Sequence, residues 1–315
     1  MLVSKVSGFA KTLAVASLLV VTPTAPNAQA RAVEDPGGCH GGGTALTPAG
    51  VTAGAGAARA GHREPSAWKN PPIDEAPASP HPGFNATIPV RFHIFTDGSE
   101  GSLSEQDLRR QVQVLNTDFS GREGGFNTGF TFTYAGADYT DNATWFRQLN
   151  PGTSVEREAK AATHVGDANT LNVWTTDGPT YLGFAHFPSW YKRSPELDGV
   201  VLDYKSFVGG IYGDEFSLGK TATHEVGHWL GLLHTFQGGC NAKGDYVDDT
   251  PPELTPTSGC PAGKDTCSAP GDDPVHNYMD YSFDSCYEQF TQGQAQRMID
   301  QWSYFRADGG FSVGN

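Results

Sequence analysis

Three histidines stand within eleven residues, at His224, His228 and His234, in the stretch HEVGHWLGLLH. On an α-helix positions i and i+4 share a face, so His224 and His228 point at one locus without backbone distortion. Glu225 lies about 100° round the helix, beside that locus but not among its ligands. Gly231 tolerates the positive φ that ends a helix, so the chain can turn and bring His234 in from another direction. Three imidazoles suit zinc and leave one tetrahedral position open. Water held in such a position has its pKa lowered to about 7, and Glu225 stands where a base takes that proton. A closed structural zinc site is the rival, because Cys240 follows closely; it would have no use for Glu225. Val226, Trp229, Leu230, Leu232 and Leu233 read as core.

The start of the chain reads as a targeting segment. Lys5 and Lys11 precede the apolar run TLAVASLLVV (12–21), which is too short to span a bilayer, and Ala28-Gln29-Ala30 is a small-residue cleavage signal. Residues 1–30 therefore read as a secretory signal, with a membrane anchor as the weaker alternative. Export makes disulfides available to the five cysteines. Cys240, Cys260, Cys267 and Cys286 cluster late, whereas Cys39 stands alone. Residues 31–85 are Gly, Ala and Pro with few large apolar side chains, so they cannot bury enough surface to offset their ordering entropy. They read as a linker or, given Cys39, a pro-segment. Arg59, Arg63 and Lys69 are places where it could be cut.

Regular structure is expected from Ala86 onward. ATIPVRFHIF (86–95), FTFTYAGADYT (130–140), TLNVWTT (170–176) and GVVLDYKSF (199–207) read as strands, and YLGFAHF (181–187) as an edge strand ending at Pro188. Leu108, Val112, Leu115 and Phe119 recur at helical spacing behind a Ser104 N-cap, and VEREAKAAT (155–163) is a short helix. A last helix opens at Thr291 with Gln294 three residues on, burying Ala295, Met298, Ile299 and Trp302. Residues 236–289 carry little periodicity. The pattern is an α+β upper half over an irregular lower half. From Ala86 onward there are 15 Lys and Arg against 30 Asp and Glu, within a net charge of −14, which argues against nucleic acid and anionic membrane as partners.

HEVGHWLGLLH, with DYVDDTP (245–251), GCP (259–261), NYMDYS (277–282) and FTQGQAQRM (290–298), resembles the pappalysin-like metzincins, over about residues 86–305. The resemblance implies a twisted mixed sheet and two long helices above a horizontal cleft, with a disulfide-stapled lower subdomain. It implies a preproenzyme with signal 1–30, pro-segment 31–85 and catalytic domain 86–315. The activity it implies is hydrolysis of protein or peptide substrates by zinc-activated water, with His224, His228 and His234 as ligands and Glu225 as general base. Met279 matches the Met-turn residue under the site. Tyr281 matches a tyrosine near the zinc, as an oxyanion stabiliser or a packing residue. The four late cysteines align with Cys240–Cys267 and Cys260–Cys286, although four cysteines allow three pairings. Asp245 and Thr250, with the Val247 carbonyl, match positions near a calcium site; a solvated acidic loop is the alternative. Cys39 matches a thiol that occupies the open zinc position in a latent precursor, with a free thiol or an intermolecular disulfide as alternatives. The resemblance implies a side-chain pocket (S1′) that favours a basic residue, for which Asp284, just past the Met-turn, could supply the matching charge; a solvated loop aspartate is the preferred reading. A non-catalytic secreted zinc-binding module is the competing class, and it would not need Glu225.

Overall fold

The computed structural model describes residues 74–177, 181–241 and 243–307. The expected signal segment, Cys39 and the three candidate cleavage residues lie outside the described residues.

The core of the fold is a five-stranded sheet in the order β2-β1-β3-β5-β4. Its strands are β1 (Ala86–Thr96), β2 (Phe130–Asp141), β3 (Leu171–Thr176), β4 (Gly183–Ala185) and β5 (Val200–Asp203). β1 runs parallel to both β2 and β3, and β3 parallel to β5. β4 alone is antiparallel, pairing Gly183 with Leu202 and Ala185 with Val200 at the sheet edge. Parallel strands are stable when both faces are covered. On one face Ile88, Val90, Phe92, Val173 and Leu202 pack with residues of α1 (Glu105–Phe119) and α5 (Lys220–Trp229). On the other face Phe95, Trp174, Phe184 and Val201 pack with residues of α2 (Ala143–Gln148) and α3 (Ser154–Thr163).

Local chemistry fixes the element ends. Ser104 Oγ accepts from the Asp107 amide while Asp107 accepts from the Ser104 amide, a reciprocal cap at the start of α1. Leu108, Val112, Leu115 and Phe119 then bury the inward stripe of that helix. The strand expected over 199–207 stops at Asp203, whose side chain accepts the Lys205 amide at 3.0 Å and turns the chain into a single 3-10 turn. The edge strand expected over 181–187 is only three residues long. Neither α2 nor α4 (Gly213–Phe216) shows a readable period, being six and four residues long. The helix α6 (Gln292–Phe305) opens with the expected Thr291–Gln294 capping box, but Ile299 is only partly buried.

The lower half has few backbone ladders and is held by other means. Disulfides join Cys240 to Cys267 and Cys260 to Cys286. A buried polar cluster does the rest. Lys264 pairs with Glu253 and, at 2.9 Å, with Asp273. Glu253 also accepts from Thr235 at 2.8 Å, and Asp280 accepts the Thr257 amide at 2.9 Å. Ahead of β1, residues 74–84 run along α6. The Ser79 amide and His81 Nε2 meet Asp300 at 3.1 and 3.0 Å, and the Phe84 ring packs edge-on to Phe130.

Candidate active site

Helix α5 carries His224, Glu225 and His228, and all three are buried. It ends where the periodicity requires, with Leu230 as C-cap and Gly231 at φ +99°. A Cβ at Gly231 would also lie 2.6 Å from Gln301 Cγ, so the turn demands glycine for space as well as for φ. The turn returns His234 to the histidines of the helix. Nε2 of His228 lies 3.1 Å from Nε2 of His224 and 3.2 Å from Nε2 of His234.

The ring orientations come from backbone carbonyls. His224 Nδ1 donates to the Tyr278 carbonyl at 2.6 Å, and His228 Nδ1 donates to the Leu232 carbonyl at 2.7 Å. A proton on Nδ1 leaves a lone pair on Nε2, so the lone pairs of His224 and His228 face each other. Convergent nitrogen lone pairs are a cation site. Tetrahedral zinc with Zn–N near 2.0 Å would separate its ligand nitrogens by about 3.3 Å, close to the spacing seen. The residues present therefore fit zinc.

Two glycines admit the neighbours of this site. A Cβ at Gly183 of β4 would stand 2.6 Å from Oε1 and 2.7 Å from Cγ of Glu225, so the edge strand touches the candidate base. A Cβ at Gly227 would stand 2.5 Å from the Met279 sulfur, so Met279 packs into the notch that a helical glycine leaves. Met279 is fully buried, and its carbonyl accepts from the Thr235 amide, next to His234. Its turn is tied to α6, because Asn277 and Gln294 exchange hydrogen bonds at 2.8 and 2.9 Å. Tyr281 is half-buried with its ring 5.0 Å from that of His234 and 5.8 Å from that of His224. Gly227 carried a sequence signal, since mid-helix glycine costs about 1 kcal/mol and needs a reason. Gly183 reads from sequence as a place of close approach on an edge strand, but nothing local names Glu225 as the neighbour.

Buried ion pairs hold both ends of α5. At its start Lys220 pairs with Asp118 at 2.7 Å and with Glu123, and Thr223 donates to Asp118. Burial pushes the Asp118 carboxyl up to about 6, against the pull of Lys220. At its end Arg306 grips Asp198 with two bonds of 2.8 and 2.9 Å, donates to the Trp229 carbonyl, and stacks on the Trp229 ring. Burial alone would raise the Asp198 carboxyl, but Arg306, with His186, outweighs it and holds it at about 2. Asp284 is not solvated as expected. It is buried and accepts the Leu218 and Lys220 amides at 2.9 and 3.2 Å, and burial pushes it up to about 7. The entrance of α5 offers it amides, which loop composition does not reveal.

Asp245, Val247 and Thr250 also come together. Thr250 Oγ1 lies 2.8 and 2.9 Å from the two Asp245 carboxylate oxygens and 2.9 Å from the Val247 carbonyl. A hydroxyl has one proton, so it cannot satisfy all three oxygens at once.

Known proteins are similar to this chain. The family profile described as pregnancy-associated plasma protein-A matches residues 163–302. An extracellular metalloprotease of Arthroderma benhamiae is 42% identical over 230 residues, covering 71% of this chain and 74% of the relative. One from Pyricularia oryzae is 43% identical over 228 residues, covering 70% and 76%. Among solved structures, mirolysin in complex with a compound is similar at 29% identity with TM-score 0.62, covering 72% of this chain and 94% of that one. Mature mirolysin of Tannerella forsythia with a cleaved peptide is similar at 31% identity with TM-score 0.59, covering 69% and 91%. Among the described residues no helix is long and apolar enough to cross a membrane. The buried histidine trio, the sheet beside it and these likenesses agree: the chain belongs to the pregnancy-associated plasma protein-A, or pappalysin-like, family and is a metalloendopeptidase.

Proposed function

We propose that the chain is a secreted, zinc-dependent endopeptidase made as a latent precursor, and that Glu225 is its general base. The convergence of three imidazoles, two of them oriented by backbone carbonyls, carries this reading. His224, His228 and His234 would hold the zinc, which when bound supplies Lewis-acid activation of water and of the scissile carbonyl. The Leu232 and Tyr278 carbonyls fix the tautomer and raise the basicity of the two helix imidazoles. Glu225, next in chain to a ligand, takes the proton of the attacking water and returns it to the leaving amine. Tyr281, alongside His224 and His234, donates its hydroxyl to the developing oxyanion. β4 is the last strand of the sheet and meets Glu225 at Gly183, so a peptide added as a strand beside β4 runs past the base.

Two further readings belong with this one. Cys39 serves as a thiolate ligand that silences the precursor, so Cys39→Ala gives a chain active before processing. Asp245, the Val247 carbonyl and Thr250 hold calcium, whose charge relieves the crowding of their oxygens. The central test is cleavage of casein by purified protein, with and without a zinc chelator, beside Glu225→Ala. Equal cleavage by the variant, or by chelated enzyme, removes the mechanism.

A further inference from the structure

Residues 74–84 precede the first strand and were expected to leave with the pro-segment. The structure instead ties them to the active-site helix turn. Glu75 meets Arg297 of α6 through a two-pronged pair, with Nη1–Oε2 2.6 Å and Nη2–Oε1 3.0 Å. The third nitrogen of the same guanidinium, Nε, donates to the Gly231 carbonyl at 2.9 Å. Gly231 is the left-handed residue that ends α5, and the next carbonyl along, that of Leu232, receives the Nδ1 proton of His228. Two residues further on is His234. Ser79, His81 and Phe84 add contacts to Asp300, Gln296 and Phe130, so the segment lies along α6 over many points. The Asp74 amide donates to Ser189 Oγ at 3.2 Å, at the far side of the same stretch.

We infer that Glu75 and Arg297 are positioning residues for the histidine turn, and that maturation therefore cuts on the N-terminal side of Asp74, leaving residues 74–85 in the mature enzyme. This rests on the reading of His224, His228 and His234 as zinc ligands. Arginine is the residue such a link requires. Its fork spends two donors on the Glu75 carboxylate while Nε, on the other side of the same planar group, reaches a buried carbonyl; lysine offers one nitrogen and cannot span both. Arg297 is nearly buried, whereas the Glu75 side chain is 42% exposed. Losing Glu75 leaves Arg297 free to swing to water and releases the Gly231 carbonyl without opening the core.

The test uses secreted, matured full-length protein: wild type, Glu75→Gln, Arg297→Lys and the double variant. Intact mass and N-terminal sequencing give the mature start. Competition with a chromogenic chelator gives the rate of zinc loss, and a peptide substrate gives kcat and KM. The wild type is expected to begin at or before Asp74. Glu75→Gln is expected to lose zinc about tenfold faster, the size of effect seen for groups that orient ligands. Its kcat falls with KM unchanged, and the double variant is no worse than Arg297→Lys, since the two residues act through one link. An active mature enzyme that starts after Glu75 overturns the inference. So do variants whose zinc loss and kcat match wild type. A wild type that holds no zinc and cuts nothing sinks the underlying reading instead, so the two failures are told apart.

Discussion

Replacing Gly183 with alanine adds one methyl group where the edge strand meets Glu225. The new Cβ would lie 2.6 Å from Oε1, 2.7 Å from Cγ and 2.9 Å from Cδ of that side chain, whereas ordinary contact begins near 3.4 Å. Either the carboxylate retreats by about 0.8 Å or the strand shifts by the same amount. β4 is tied to β5 over three register pairs, and Glu225 sits on a helix anchored by ion pairs at both ends, so the side chain gives way first. A misplacement of about 1 Å costs on the order of 100-fold in rate, which is about 2.7 kcal/mol of barrier. Gly183 does not occupy the left-handed region, so alanine fits its backbone and Tm should hold within a few degrees. The assay is kcat and KM on a fluorogenic peptide, with zinc content and Tm measured alongside. The expected result is a kcat about 100-fold lower with zinc retained. A Gly183→Ala enzyme within threefold of wild-type kcat would refute the claim that this contact positions the base.

Tyr281→Phe should lower kcat by about 100-fold and leave KM nearly unchanged, because an oxyanion donor acts mainly on the transition state; equal kcat values in steady-state assays would reduce Tyr281 to a packing residue. Breaking Cys240–Cys267 with a pair of alanines frees a loop with a sequence separation of 27, and denaturant melts should show a loss of about 3.6 kcal/mol on the chain-entropy relation. Burial keeps Asp284 protonated up to about pH 7, against an ordinary value of 3.8. Between about pH 4 and 7 the folded chain thus holds a proton that the unfolded chain has released, so this contribution to stability is present at low pH and lost as pH rises. The advantage of wild type over Asp284→Asn should shrink by on the order of 4 kcal/mol across that window, about three units at 1.36 kcal/mol each. Melts of metal-free protein at each pH check it, and a constant difference would contradict it. Calcium at 100 times its dissociation constant should stabilise wild type by about 2.7 kcal/mol and leave Asp245→Ala unmoved, as read by Tm.

What could be read from the chain without coordinates was whatever is written in short-range pattern. His224 and His228 share a face because they are one helical turn apart. Ser104 with Asp107 and Thr291 with Gln294 announce helix starts within three residues, and β1 is rich in β-branched and aromatic residues. What could not be read depends on residues far apart in sequence. Gly183 reaches Glu225 across the sheet, Arg297 reaches Gly231 and Glu75, and Asp284 reaches the amides of Leu218 and Lys220. No period encodes such contacts. A glycine gives its small size but not what fills the space. An aspartate in a loop gives its charge but not the helix entrance that accepts it. Asp203 shows a local failure of the opposite kind: its side chain stops a strand that hydrophobic pattern alone would have continued.

The third histidine has a different kind of address from the other two. His224 and His228 belong to a helix held by hydrogen bonds, packing and ion pairs at both ends, while His234 opens the region that carries both disulfides and the Thr235–Glu253 contact. In a reducing compartment that region has no covalent staples, and the shape of the chain beyond His234 is left to polar contacts such as Lys264–Asp273.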